Sequence, residues 1–427
     1  MSGPVARGRA ARSMLPSGPA KLPGVTGRIV GGLRSPNTSG VALKVLSIFG
    51  TRPEAIKMAP VVMALEADPA IESVVCVTGQ HREMLQQVLD LFHIRPDHDL
   101  QLMTRDQSLN GLVAKAISAV DAVLAEVRPD RVLVHGDTST AMAAALAAFH
   151  RHIPVAHVEA GLRTFDLSQP WPEEMNRCVI DLVGDLLFAP TATAKDNLVR
   201  SQAAGKMVVT GNTVIDGLEA TLAAIAADPA RQKGLEQEFA FLDPARKIVL
   251  VTGHRRESFG DGFLNICRAL TSLAQRGDVQ IVYPVHLNPH VQEPVREMLG
   301  SQPAIHLLAP LDYVPFVYLM GRADIVLTDS GGVQEEAPSL GKPVLVMRDV
   351  TERPEAVAAG TVRLVGTDPD RIVTEVSRLC DDREAYMEMS RTMNPYGDGR
   401  AAQRIVAVLK GDAIEEFCPA GDVSDDQ

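Results

Sequence analysis

Short apolar runs alternate with longer amphipathic stretches along most of the chain. From Lys44 onward, KVLSIFG, SVVCVTG, RVLVHG, VAHVEA and LLFAP are near-continuous apolar runs of strand length. Runs of this kind, rather than alternating ones, predict strands buried on both faces of a parallel sheet. Helical patterns lie between them. In Gly111 to Val127, residues Leu112, Val113, Ala116, Ile117, Val120, Val123, Leu124 and Val127 recur on one face. A second series follows: KIVLVTGH, VQIVYPVH, AIHLLAP, IVLTDSG, PVLVMRD and VRLVG. Between the two lies Asp216 to Lys247, a helix and then a charged stretch. The pattern predicts an α/β chain of two doubly wound, Rossmann-like domains, with the boundary between Thr210 and Asp216.

Composition narrows the class. Of 427 residues, 46% are apolar and 22% charged, as in a water-soluble globular chain. The net charge of −11 disfavours nucleic acid as a partner. It leaves room for a local basic cleft that takes a small anion. The five cysteines, Cys76, Cys178, Cys267, Cys380 and Cys418, lie far apart with no CxxC pair. Neither a disulfide framework nor a zinc site is expected, and a reducing cytoplasm fits. No apolar stretch reaches the ~18 residues of a membrane span. Residues 1–43 form a basic extension rich in Gly, Pro and Ser, and residues 412–427 an acidic tail; both are expected to be loose.

The tetrapeptide RPEA occurs twice, in FGTRPEAIKMAP and in VTERPEAVAAG. Each copy stands just past an apolar run. Proline suits the first helical position, which holds Arg52 and Arg353 at two strand–helix junctions. Ligands of such sheets bind beyond the carboxyl ends of the strands. If the domains face each other, the two arginines meet across one cleft.

Other strand ends carry candidate chemistry. In DSGGVQEEAPSLGKP, Ser330, Gly331 and Gly332 open a helix whose free N–H groups suit a phosphate. A tight turn with a serine cap is the plain alternative. Glu335 or Glu336, one turn in, can accept from ribose hydroxyls. No GxxxxGK[ST] occurs, and GDGFLN at Gly260 fails the dinucleotide fingerprint, so neither a P-loop nor bound NAD is indicated. VHGDTST places Asp137 past a strand, where a helix cap is the plain alternative. HVEAGLRT places Glu159 near a strand end, costly to bury without a role. PWPEEMNR places Glu173 in a first helical turn, where an i,i+4 pair with Arg177 is the competing reading. Three carboxylates on one sheet make an acid–base set. In VTGHRRES, His254, Arg255 and Arg256 suit a diphosphate, with His254 neutralising leaving-group charge.

Together these segments resemble the non-hydrolysing UDP-N-acetylglucosamine 2-epimerases. The resemblance covers Lys44 to Lys410 and includes TGQHREM, VTGNTVIDGL, YPVHLNP and DYVPF in the family's order. It implies two Rossmann-like domains of the glycosyltransferase-B type around a central cleft, over 44–212 and 213–392. A last helix, over 393–411, is implied to return to the first domain. It also implies interconversion of UDP-N-acetylglucosamine and UDP-N-acetylmannosamine by a cytoplasmic homodimer serving polysaccharide synthesis, with no metal or redox cofactor. On this resemblance Asp137, Glu159, Glu173 and His254 are the catalytic set. Arg52, Lys57 and Arg353 contact the diphosphate or sugar, Ser330, Gly331 and Gly332 form the phosphate loop, Glu336 takes the ribose, and Phe316 lines the uracil pocket. Some members carry a second, activating UDP-sugar site, to which Gln80, His81, Arg255 and His286 correspond. Glu83 stands where that pattern often has glutamine, and an acid repels a second diphosphate. A hydrolysing epimerase, an epimerase of a modified UDP-sugar, a glycosyltransferase and a silent UDP-sugar sensor are the alternatives.

Overall fold

The structure, a computed structural model, describes residues 42–79, 82–104, 107–255 and 259–419. Residues 1–41 of the predicted extension and 420–427 of the tail lie outside them. The first half of the chain builds β1 (Leu43–Phe49), α1 (Arg52–Glu66), β2 (Ile71–Val77), α2 (Arg82–Leu91), β3 (His98–Asp99), α3 (Leu109–Val127) and β4 (Arg131–His135). It continues with α4 (Ser139–His150), β5 (Val155–Val158), α5 (Glu173–Val183), β6 (Leu186–Ala189), α6 (Ala192–Arg200) and β7 (Lys206–Val209). Two helices follow, α7 (Thr213–Ala227) and α8 (Pro229–Glu238). The second half builds β8 (Lys247–Thr252), α9 (Asp261–Ala274), β9 (Val279–Pro284), α10 (Pro289–Leu299), β10 (Ile305–Leu308) and α11 (Tyr313–Arg322). After it come β11 (Ile325–Thr328), α12 (Gly331–Glu336), β12 (Val344–Val346), α13 (Pro354–Ala359), β13 (Val362–Leu364), α14 (Pro369–Asp381), α15 (Arg383–Arg391) and α16 (Ala401–Lys410).

The strands form two sheets, ordered β3-β2-β1-β4-β5-β6-β7 and β10-β9-β8-β11-β12-β13. Each pairing among the described residues is parallel. Both sheets reverse their winding in the middle, between β1 and β4 and between β8 and β11. Those are the switch points where open α/β sheets bind ligands. Each sheet is covered on both faces, which is why its strands read as apolar runs. Val45 and Phe49 face one layer of the first sheet and Leu46 and Ile48 the other. Val249 and Val251 face one layer of the second, and Ile248 and Leu250 the other.

Three elements depart from the sequence pattern. β3 and β7 were not predicted, because the first is two polar residues and the second is a short edge strand, KMVV, with Lys206 exposed. The charged stretch after α7 folds as α8, set by its cap rather than by apolar spacing. Asp228 accepts from the N–H groups of Ala230 and Arg231 at 3.1 Å each, Pro229 opens the helix, and Leu235 alone is buried. The tail is not loose where it begins. Phe417 is buried, its N–H donates to Val209 O at 2.9 Å, and Glu416 pairs with Lys195 at 2.8 Å, so this segment covers the β7 edge.

Helix α1 is central to the assembly of the two halves. It packs against both α7 and α16, and Ala402, Ile405, Val406 and Leu409 of α16 join the apolar layer of the first sheet. Gly217 on α7 permits this approach. A Cβ there would lie 2.6 Å from the Ile56 carbonyl oxygen.

Candidate functional site

The turns after β1 and β4 are tied by one carboxylate. Thr51 caps α1, and Glu54 completes the capping box. Glu54 Oε2 accepts from the N–H groups of Gly50 and Thr51 at 3.0 and 2.8 Å. Its Oε1 accepts the Thr138 hydroxyl at 2.8 Å. The glutamate of the first RPEA is therefore a staple between strand ends. Its arginine lies one step further in than expected: Arg52 is itself the first helical residue, whereas Arg353 is the cap residue before α13. The second glutamate is also a staple. Glu355 accepts the Thr191 hydroxyl at 3.3 Å and the Tyr396 hydroxyl at 3.3 Å.

Glu159 follows β5 with a left-handed backbone, φ 66°, which few non-glycine residues adopt. Such a conformation, held in place by its surroundings, is typical of functional positions. Its carboxylate is ion-paired with Lys57 of α1 and lies 3.6 Å from His135 Nε2. Burial opposes its charge, but Lys57 and His135 outweigh burial and hold its pKa well below the usual range. Burial likewise opposes the charge on Lys57, and Glu159 and Glu335 reverse it, leaving the pKa raised.

Asp137 does not cap α4; Thr138 does, accepting from Ala141 N–H at 3.0 Å. Asp137 Oδ2 instead receives Arg177 Nε and Nη2 at 2.9 and 2.6 Å. Arg177 Nη1 donates to Glu174 at 3.0 Å. The Glu173–Arg177 helix pair of the competing reading is thus not formed, because Arg177 is drawn back toward the β4 turn and the buried Glu174. Glu173 opens α5 and has no side-chain hydrogen bond or ion pair among the described residues. Asn176 and His157 brace the same turn, donating to Asp137 O at 2.8 Å and bonding Gly136 O at 2.7 Å.

In the second half, Asp329 organises the turn after β8. This fully buried carboxylate accepts from the N–H groups of His254 and Arg255 at 2.7 and 2.8 Å. Its Oδ1 lies 3.3 Å from His254 Nδ1. Burial lowers the His254 pKa, Asp329 partly offsets this, and His286 and Arg255 add to the lowering. Two arginines bring positive charge to the same turn. A Cβ on Gly331 would lie 3.9 Å from Arg353 Nη2 and 4.0 Å from Arg255 Nη2, so two guanidiniums flank the start of α12. Ser330 stands at the cap position, but its side chain makes no capping bond, contrary to the plain reading. Arg353 Nε is ion-paired with Glu335, whose other oxygen accepts Asn212 Nδ2 at 3.4 Å. Glu336 accepts the Tyr313 hydroxyl at 2.9 Å, and burial pushes its pKa up to about 7. Phe316 is half-buried on α11 in the neighbouring apolar layer.

The two groups share one electrostatic environment. Lys57 interacts with Glu335 and Arg353, and Arg353 with Glu159. The cation of the first half that faces Arg353 in this way is Lys57, five positions along α1 from Arg52. Arg52 makes no side-chain hydrogen bond or ion pair among the described residues. Gln80 and His81 lie outside the described residues. Of their expected partners, Arg255 stands at the Gly331 turn, and His286 stacks on His254 with ring centroids 5.5 Å apart. Sequence reasoning missed His135, Arg177, Asp329 and Tyr313. A histidine ending an apolar strand beside Gly136 and Asp137 was the available signal for the first.

Two doubly wound sheets with charged residues gathered at both switch points define an α/β protein of the glycosyltransferase-B type. The sequence model of the UDP-N-acetylglucosamine 2-epimerase family matches residues 63–410, and the chain belongs to that family. It is 56% identical over 374 residues to the UDP-N-acetylglucosamine 2-epimerase of Escherichia coli (strain K12), covering 87% of this chain and 100% of the relative. A crystal structure of the Neisseria meningitidis UDP-GlcNAc 2-epimerase bound to UDP-GlcNAc is 49% identical with a TM-score of 0.78, covering 87% of this chain and 100% of that one. A UDP co-structure of S. aureus MnaA is 42% identical with a TM-score of 0.77, covering 88% and 100%.

Proposed function

We propose that this protein interconverts UDP-N-acetylglucosamine and UDP-N-acetylmannosamine without releasing the free sugar. Carbon 2 has no adjacent carbonyl, so its proton is poorly acidic. Breaking the bond from carbon 1 to UDP builds oxocarbenium character that acidifies carbon 2. Loss of that proton gives 2-acetamidoglucal and UDP. Re-addition of UDP, with protonation at the opposite face of carbon 2, inverts that centre. This chemistry asks for cations at the departing diphosphate, carboxylates on both faces of the sugar, and exclusion of water.

The observation that carries the reading is the shared environment of Glu159, Lys57 and Arg353, drawn from both sheets. Arg353 and Arg255 at the Gly331 turn act on the diphosphate, together with Ser330, Gly332, Lys57 and Arg52. Asp137, Glu159 and Glu173 handle protons, and His254 donates to the departing phosphate as a neutral imidazole. Glu336, whose carboxyl burial shifts toward neutrality, takes the ribose hydroxyls, and Phe316 lines the uracil pocket. Gln80, His81 and His286, with Arg255 shared between the two diphosphates, correspond to the activating site of some relatives, which the charge of Glu83 opposes. A cytoplasmic homodimer supplying polysaccharide synthesis is the setting that the family resemblance supports. No described helix is long and apolar enough to cross a membrane.

Incubation with UDP-N-acetylglucosamine alone tests the reading. The expected products are the two UDP-sugar epimers at equilibrium, with deuterium at carbon 2 when the solvent is deuterated water. Free N-acetylmannosamine with stoichiometric UDP would mean a hydrolysing enzyme. No reaction, with turnover only of a modified UDP-sugar, would move the substrate and keep the chemistry.

A further inference from the structure

Glu159 has a neighbour that the scheme above leaves unused. His135 is the last residue of β4 and is 3% exposed. Among the described residues, neither of its ring nitrogens has a hydrogen-bond partner. Buried polar groups in native proteins are nearly always bonded, so an exception calls for an explanation. The only charged group paired with His135 among the described residues is Glu159, with Nε2 3.6 Å from Oε2. Active-site hydrogen bonds are often this long at rest and tighten when the reacting complex forms.

The backbone fixes this approach. His135 pairs with Val158 in the parallel register of β4 and β5, so it stands beside the residue before Glu159. The left-handed turn at Glu159, φ 66°, then sets the direction of the carboxylate. Lys57 holds the same oxygen, Oε2. Oε1 has no protein hydrogen-bond partner among the described residues.

We propose that His135 is a positioning residue: with Lys57 it clamps Glu159 Oε2, donating from Nε2–H, so that Oε1 is the oxygen presented to carbon 2 of the sugar. The inference rests on the proposed epimerisation. In the elimination, the bond from carbon 2 to hydrogen breaks and the proton goes to Glu159 Oε1. The released electron pair forms the double bond between carbons 1 and 2, and UDP departs with the pair of the carbon 1–oxygen bond. His135 neither gains nor loses a proton. Its role is to prevent the carboxylate from rotating away.

Two substitutions test this. His135→Phe keeps the ring and removes both nitrogens, whereas His135→Gln returns an amide N–H near the Nε2 position. For His135→Phe, kcat is expected to fall about ten- to a hundredfold, the range one hydrogen bond to a charged group supplies. KM should stay within about twofold, because the lost interaction acts on the step and not on binding. The primary isotope effect with substrate deuterated at carbon 2 should rise, since proton transfer becomes more limiting. His135→Gln should recover most of kcat. If His135→Phe does not fold by circular dichroism, His135→Asn replaces it, its amide being too short to reach Glu159. Unchanged kcat in the loss variant, a loss confined to KM, or a folded His135→Gln no better than the loss variant would each overturn the proposal. A wild-type protein that forms no epimer overturns the proposed function and this inference together. An active wild type with an unimpaired His135→Phe overturns this inference alone.

Discussion

Asp216 of α7 caps α16 from far along the chain, its carboxylate accepting from Ala402 N–H at 2.8 Å and from Ala401 N–H at 3.3 Å. The residue at the local cap position, Arg400, supplies no side-chain bond. The last helix is thus fixed to the segment that links the two sheets. Burial pushes the Asp216 pKa up to about 6, against the pull of the two N–H groups. A carboxyl raised in the folded state contributes stability at low pH that is lost as pH rises through the folded value. Replacing Asp216 with Asn removes that loss. The stability of Asp216→Asn relative to the wild type should improve by about 2 kcal/mol between pH 4 and 7. Urea unfolding midpoints at the two pH values check this, and a constant difference would contradict it.

Asp137→Asn and Glu159→Gln keep shape and remove charge. Each is expected to lower turnover by about two to four powers of ten, the range of general acid–base catalysis. Glu173→Gln should be slowed too. Its side chain has no structural partner among the described residues, so folding should be untouched. Steady-state rates alongside circular dichroism separate the two effects.

Asp329→Asn should disturb the turn that carries His254 and Arg255. Oδ2 accepts both N–H groups, so an amide oxygen can keep those two bonds, but an NH2 then stands where the charged Oδ1 faces His254 Nδ1. The expected result is a fall in kcat of about tenfold, since the imidazole loses the negative charge that orients it. Normal kcat in a folded Asp329→Asn protein would show that the turn holds without the carboxylate.

Arg353→Ala leaves Glu335 buried without its cation. Breaking such a pair costs about 3–5 kcal/mol. The variant should melt earlier, and UDP should raise its melting temperature less than it raises that of the wild type. An equal UDP-induced shift in calorimetry would place the diphosphate elsewhere.

A chain ending at Asp412 should lose on the order of 2 kcal/mol, because Phe417 no longer buries its ring beside Gly211 and Arg404. Chemical denaturation of the shortened and full chains reads this directly. Equal midpoints would mean that the segment adds no stability.

Much of the architecture was legible in the chain. All six strands of the second sheet and five of the seven in the first follow from apolar runs, because a strand buried on both faces tolerates few polar residues. The candidate chemistry was visible for a related reason: charged residues such as Glu159, His254 and Asp137 closely following an apolar run fall where a parallel sheet exposes its ligand edge. The tertiary structure alone decided which of these groups meet. Spacing on α5 allowed Arg177 to reach Glu173, yet it turns to Asp137 and Glu174. Both RPEA copies pointed to their arginines, yet their glutamates carry the staples between strand ends and between the two halves. Asp216, His135 and Asp329 gave no sign of the helix end, carboxylate and turn that each one serves. Sequence periodicity reports which face of an element is buried. It carries no record of which distant residue occupies the other side of that contact, and hydrogen bonds and ion pairs act only across such contacts.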